Sequence, residues 1–66
     1  MASGIVKIIN LEPTPRDITL LDGRDIRLQP FSFSGTEHIS DPIPKKLIPD
    51  GLKSLINRQF IRIEEV

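Results

Sequence analysis

Sixty-six residues make one small domain at most, which buries only roughly 60% of the surface its unfolded chain exposes. With no Cys and a single His, disulfides, thiolate metal sites and imidazole clusters are excluded as staples, leaving partner binding as the common alternative. Nine Lys and Arg against nine Asp and Glu are interspersed along the chain, without the basic tract that nucleic acid would ask for.

Met1 to Gly4 reads as a flexible start with no signal peptide, and no stretch reaches the roughly 20 apolar residues of a membrane span. Ile5-Val6-Lys7-Ile8-Ile9 is short and β-branched almost throughout, which predicts a strand. Its apolar residues lie on both faces, so it is expected inside a sheet or covered on its second side. Glu12-Pro13-Thr14-Pro15 then breaks regular structure, because each Pro fixes φ and lacks an N–H.

Asp17 to Leu28 predicts a β-hairpin. Ile18, Leu20, Ile26 and Leu28 alternate with polar residues on either side of Asp22-Gly23. A two-residue Asp-Gly loop would set Leu20 opposite Asp25 and Ile18 opposite Arg27, mixing charge into the apolar face. The three-residue loop Leu21-Asp22-Gly23, with Gly23 left-handed, pairs Ile18 with Ile26 and Asp17 with Arg27. A five-residue loop has the same parity.

After Leu28 the parity changes. Residues 29–47 hold Pro30, Pro42, Pro44 and Gly35 and show no convincing helix or long strand. They also hold Phe31, Phe33, Ile39 and Ile43, too apolar for a disordered linker, so the segment is expected to be an irregular arm packed on the body or on a neighbour. These four are the candidate partner-binding residues, aromatics being enriched where interfaces bury surface. Around residues 50–58, Leu52, Leu55 and Ile56 fall at helical spacing, with Asp50 near the start and Arg58 near the end. Phe60 to Glu64 alternates as a last strand, placed beside Ile5–Ile9. The expected fold is small α+β, mainly β: an antiparallel or mixed sheet of about four strands, the hairpin at 17–28, one C-terminal helix at about 50–58 and the arm at 29–47, in a single domain spanning 1–66.

Catalytic chemistry lacks a constellation. Ser32, Ser34, Ser40 and His38, with Glu37 and Asp41 nearby, supply the residue types of a nucleophile and base, but side chains this close along a loop seldom reach triad geometry. Asp22-Gly23-Arg24-Asp25 starts like a Ca²⁺ loop, yet its twelfth position is Phe33 where a bidentate Glu is needed. No catalytic residue, cofactor or metal site is therefore expected. Arg24, Arg27, Lys45, Lys46, Lys53, Arg58 and Arg62 are interleaved with acids, which reads as solvated charge.

The run from Leu11-Glu12-Pro13 through Asp22-Gly23-Arg24 to Leu28-Gln29-Pro30, followed by Leu52-Lys53-Ser54-Leu55-Ile56 and a last strand, resembles small virion proteins of tailed bacteriophages. Members of that set often carry Gly between helix and final strand, where this chain has Asn57-Arg58-Gln59. The resemblance implies a non-enzymatic component of the capsid cement or decoration type, or a head, neck or tail accessory, located in the virion. The expected partners are a symmetric protein assembly or further copies of the chain, with no membrane and no nucleic acid. The alternative is a small cytoplasmic adaptor or a nucleic-acid-binding β-barrel module.

Overall fold

A computed structural model describes residues 4–66, so the expectation for the first three residues lies outside the described residues. Five strands form two antiparallel sheets, with one short helix. The first sheet has β1 (Ile5–Asn10) at its centre, between β4 (Ile43–Pro44) and β5 (Ile61–Glu65). The second is the hairpin of β2 (Arg16–Thr19) and β3 (Asp25–Leu28). A 3-10 turn at Lys45–Leu47 follows β4, and α1 (Leu52–Asn57) precedes β5.

The central place of β1 follows from its composition. A strand apolar on both faces needs cover on both, and a flanked position supplies it. β5 pairs with it over five residue pairs, from Val6 opposite Glu65 to Asn10 opposite Ile61. On the other edge Val6 pairs with Ile43 and Ile5 with Pro44. The two ends of the described chain thus meet: the Val66 N–H donates to the Ile5 carbonyl at 3.0 Å.

The hairpin takes the register that apolar parity demands. Ile18 faces Ile26, and Asp17 faces Arg27. The loop is Leu21-Asp22-Gly23: the Leu20 N–H donates to the Arg24 carbonyl, the Gly23 N–H returns to Leu20, and Gly23 takes φ +90°. That left-handed conformation is where Gly avoids the Cβ clash. Its even-numbered face turns inward, so Ile18, Leu20 and Leu28 are buried while Asp17, Thr19, Asp25 and Arg27 stay wet. The hairpin forms its own sheet instead of extending the first one, a split introduced by the Pro13 and Pro15 linker and by strands of only four residues.

One connected core joins the two sheets and the helix: Ile8, Ile18, Leu20, Leu28, Ile43, Leu52 and Ile61, with Ile26, Leu47, Ile48, Leu55, Ile56 and Ile63 packed around it. Fully burying each such side chain contributes about 1.5–3 kcal/mol.

α1 is shorter than the 50–58 of the sequence pattern. Asp50 lies outside it, and Gly51 takes the N-cap position without a side-chain hydrogen bond. The helix closes with a Schellman arrangement: the Phe60 N–H donates to Leu55 and the Gln59 N–H to Ile56, both at 3.0 Å. The left-handed residue at its C′ position is Gln59, φ +64°, among the described residues the one non-glycine with positive φ. Gln59 thus takes the backbone shape that Gly adopts most easily at a helix exit.

Segment 29–47 is irregular up to residue 42, as expected, and packs on the body of the chain, not trailing from it. It runs back along the free edge of β1 and contains β4 and the 3-10 turn. Asn10 and Ser40 hold it there. The Asn10 N–H donates to His38 O at 2.9 Å, the Ser40 N–H to Ile8 O at 2.8 Å, and the Ile8 N–H to Ser40 Oγ at 2.8 Å. Asn10, fully buried, spends its amide on the connections: Nδ2 donates to Thr14 O (2.8 Å) and Gln29 O (2.9 Å), and Oδ1 accepts from the Glu12 N–H (3.0 Å).

Candidate functional site

The four partner-binding candidates separate by burial. Ile43, 4% exposed, is core: β4 pairing sets it opposite Val6 and turns it inward, so it is unavailable to a partner and leaves the candidate set. Ile39 is half-buried and bridges Ile9. Phe31 is partly exposed, and Phe33 is 98% exposed.

Phe31 and Phe33 do share a side, as their spacing predicts. Their rings meet edge to face, centroids 4.9 Å apart at 87°. Phe31 also meets the His38 ring, again at 4.9 Å and at 62°. The result is a short aromatic ladder, from buried His38 through Phe31 to the solvated Phe33 ring. Offset and edge-on contacts of this kind suit the ring quadrupoles.

The loop bearing the ladder is tied down at its base. The Phe31 N–H donates to Glu12 O (2.8 Å), the Gln29 N–H to Glu37 O (3.2 Å) and the Ile39 N–H to Thr36 O (3.0 Å). Ser32 Oγ accepts from the Ser34 N–H and lies 3.4 Å from Ser34 Oγ, which shapes the tip. The loop therefore presents Phe33 from a fixed base instead of trailing it on a free tail.

The serines and the histidine do not converge. Ser40 is spent on the Ile8 N–H and the Asp41 carbonyl. His38 is buried with Nδ1 unpartnered, and among the described residues no hydrogen bond joins it to a serine. Asp22 serves the turn: Oδ1 accepts the Arg24 N–H and Oδ2 pairs with Arg24 Nε at 2.8 Å. Among the described residues no three His, Asp or Glu side chains are grouped to hold a metal ion.

Charge on the hairpin is arranged in pairs. Arg27 Nε donates to Asp17 Oδ1 at 2.8 Å across the strands. That hydrogen bond, reinforced by the Arg27 charge and opposed by desolvation, holds the Asp17 carboxyl below its usual range and raises Arg27. The Arg24 N–H does most to lower Asp22, against desolvation, with the Arg24 guanidinium adding to it. Arg16 with Glu12, Lys45 with Glu65 and Arg62 with Glu64 are also paired. Arg16 further lies over the Phe60 ring, 5.8 Å from its centroid. Pairing of this kind divides the cations of Arg24, Arg27 and Lys45 among local acids, so they do not add up to one basic face.

Two features were not foreseen from residue types. Asn10 reads as a strand-end polar residue, yet its side chain anchors two connections through three hydrogen bonds. The open edge of β3 carries no signal of its own, because an edge is defined only once the sheet order is known. Comparison with protein-family models, curated proteins and solved structures finds no match.

Proposed function

We propose that this chain is a non-enzymatic assembly protein that docks on a larger protein body through the loop carrying Phe31 and Phe33. The resemblance in the Leu11–Pro30 segment favours a bacteriophage virion component, a capsid cement or decoration protein or a head, neck or tail accessory. One observation carries the docking reading: Phe33 is 98% exposed on a loop whose base is hydrogen-bonded to Glu12 and whose ring is propped by Phe31. Leaving a Phe in water forgoes about 1.5–3 kcal/mol of burial. A loop whose base is already hydrogen-bonded has less freedom to lose on docking, which lowers the ordering cost of burying the ring.

The test is composition of purified particles from a host carrying the gene, with wild-type or Phe33→Ser protein supplied. The wild-type chain is expected to co-sediment with the particles, and the variant, folded equally well, to stay in the supernatant. Absence of the wild-type chain from particles would refute the virion reading. Equal retention of both proteins would refute Phe33 as the anchor.

A further inference from the structure

We infer that the free edge of β3 pairs antiparallel with the same edge of a second copy, about a two-fold axis at Ile26. This goes beyond the docking reading: it uses a different surface from Phe33, and either can fail while the other stands.

The argument starts from which main-chain groups are spent. The Leu20 N–H bonds the Arg24 carbonyl, so the even-numbered residues of β3 exchange their bonds with β2. Asp25 and Arg27 must then aim their N–H and C=O groups away from the hairpin. Beyond them, the Gln29 N–H faces the same way and is taken by Glu37. Among the described residues nothing outside the hairpin bonds the main chain of Asp25 or Arg27. Both residues are exposed. Alongside the edge runs an open groove of about 350 Å³, bounded by Ile26 and Leu28 on one side and by Ile39, Asp41 and Ile43 on the other. The main-chain groups of Asp25 and Arg27 are therefore unspent, and they border an open groove.

Exposed edges invite pairing, and natural ones are usually blunted by charge. Here the charges select a mate. Edge-to-edge bonding requires the outward residues, Asp25 and Arg27, to oppose one another across the new seam. A two-fold at Asp25 would set Asp25 against itself, and one at Arg27 would set Arg27 against itself. Like charges directly opposite are destabilising. A two-fold at Ile26 sets Asp25 of each copy against Arg27 of the other, twice, with Ile26 against Ile26. It is the single register of the three that matches opposite charges, so the strand encodes both its partner and its alignment.

The arrangement also continues what the hairpin already does. On the wet face Arg27 is bonded to Asp17 from one side, and Asp25 to Thr19 Oγ1 at 2.6 Å. Pairing would supply the opposite neighbour to each, giving a charged ladder across four strands. On the inner face Ile26, only partly covered in one copy, would gain its counterpart. A two-stranded hairpin would become a four-stranded sheet, past the three strands that give a sheet independent stability.

Sedimentation equilibrium tests this with two charge variants, D25R and R27E, each checked for fold by circular dichroism. Each variant alone opposes like charges at both ends of the seam and is expected to stay monomeric, while an equimolar mixture restores both attractions and dimerises. Wild type is expected to shift from monomer to dimer mass with concentration, up to about 1 mM, and less so at high salt. Phe33→Ser is expected to dimerise like wild type, which keeps this surface separate from the docking loop. Amide exchange at Asp25 and Arg27 in the unaltered protein should slow as concentration rises, a readout that stands even if a variant fails to fold. A wild type monomeric up to about 1 mM, a dimer that survives in both variants, a mixture that stays monomeric, or exchange at both amides independent of concentration would overturn the inference.

Discussion

Replacing Asn10 tests whether one buried amide holds the connections together. In Asn10→Ala, two carbonyls (Thr14 and Gln29) lose their donor and the Glu12 N–H loses its acceptor. A buried polar group left unpaired costs about 1–3 kcal/mol. These three groups are only partly buried, and water can enter the space vacated by the side chain, so the sum is discounted to about 2–4 kcal/mol. A 66-residue domain has only about 3–10 kcal/mol in hand. At this size each kcal/mol moves the melting temperature by about 4–8 °C, so a fall of about 10–30 °C, or loss of folding, is expected by calorimetry. Asn10→Asp sharpens the test. It keeps an acceptor for Glu12 but turns a carboxylate oxygen toward two carbonyls, a repulsion that protonation relieves, the single O–H donating to one of them. The new carboxyl therefore has a raised pKa in the folded state. Its stabilisation is full below the unfolded value of about 3.9 and is lost as pH rises through the folded one. The variant should thus recover stability relative to wild type as the solution is acidified. An Asn10→Ala protein melting within about 3 °C of wild type, below the shift that even 1 kcal/mol would produce, would refute the reasoning.

At the helix exit, Gln59→Gly removes a left-handed strain of about 1–2 kcal/mol against an added backbone entropy of about 0.5–1 kcal/mol. The net gain is about 0.5–1 kcal/mol, and a rise in melting temperature of a few degrees checks it. Leu28→Ala, at a core position 2% exposed, is expected to cost about 2–5 kcal/mol in chemical denaturation. Phe33→Ser should alter stability by less than about 1 kcal/mol, since the ring is solvated and leaves only its edge contact with Phe31. The lowered carboxyls of Asp17 and Asp22 contribute stability above the unfolded carboxylate range, and lose it as pH falls through their folded values. Melting temperature measured downward from pH 6 should therefore fall less steeply in Asp17→Asn than in wild type, with the difference shrinking at high salt.

How far the fold can be read from the chain depends on how local its causes are. The hairpin register follows from four apolar residues and one Asp-Gly, all within a dozen positions, and parity alone rejects the two-residue loop. β1 and β5 are legible for a similar reason, as short β-branched runs with nowhere else to bury their faces. Segment 29–47 is different. What orders it is the pairing of Ser40 with Ile8, of His38 with Asn10 and of Glu37 with Gln29, contacts that leave no periodic trace in the segment itself. Ile43 turns inward because β4 sets it opposite Val6, thirty-seven positions earlier in the chain. The two aromatics were legible as a pair, but which of them meets water depended on His38 filling the space beneath Phe31.

The same distinction explains why the two proposed surfaces differ in kind. The Phe33 loop is a residue-level signal, an apolar side chain with no place in the core, and a sequence can display it. The β3 edge is a topological one: Asp25 and Arg27 read as ordinary hairpin charge until the sheet order leaves their main chain bare. Alternating opposite charge on so short an edge admits a second copy in one register and penalises the neighbouring ones. A protein that must add to an assembly without aggregating needs that combination, an edge open to one mate and closed to most others. If the charge-swapped mixture dimerises while its components do not, the alternation is a recognition code, and the hairpin around which the chain is built is also the element by which it multiplies.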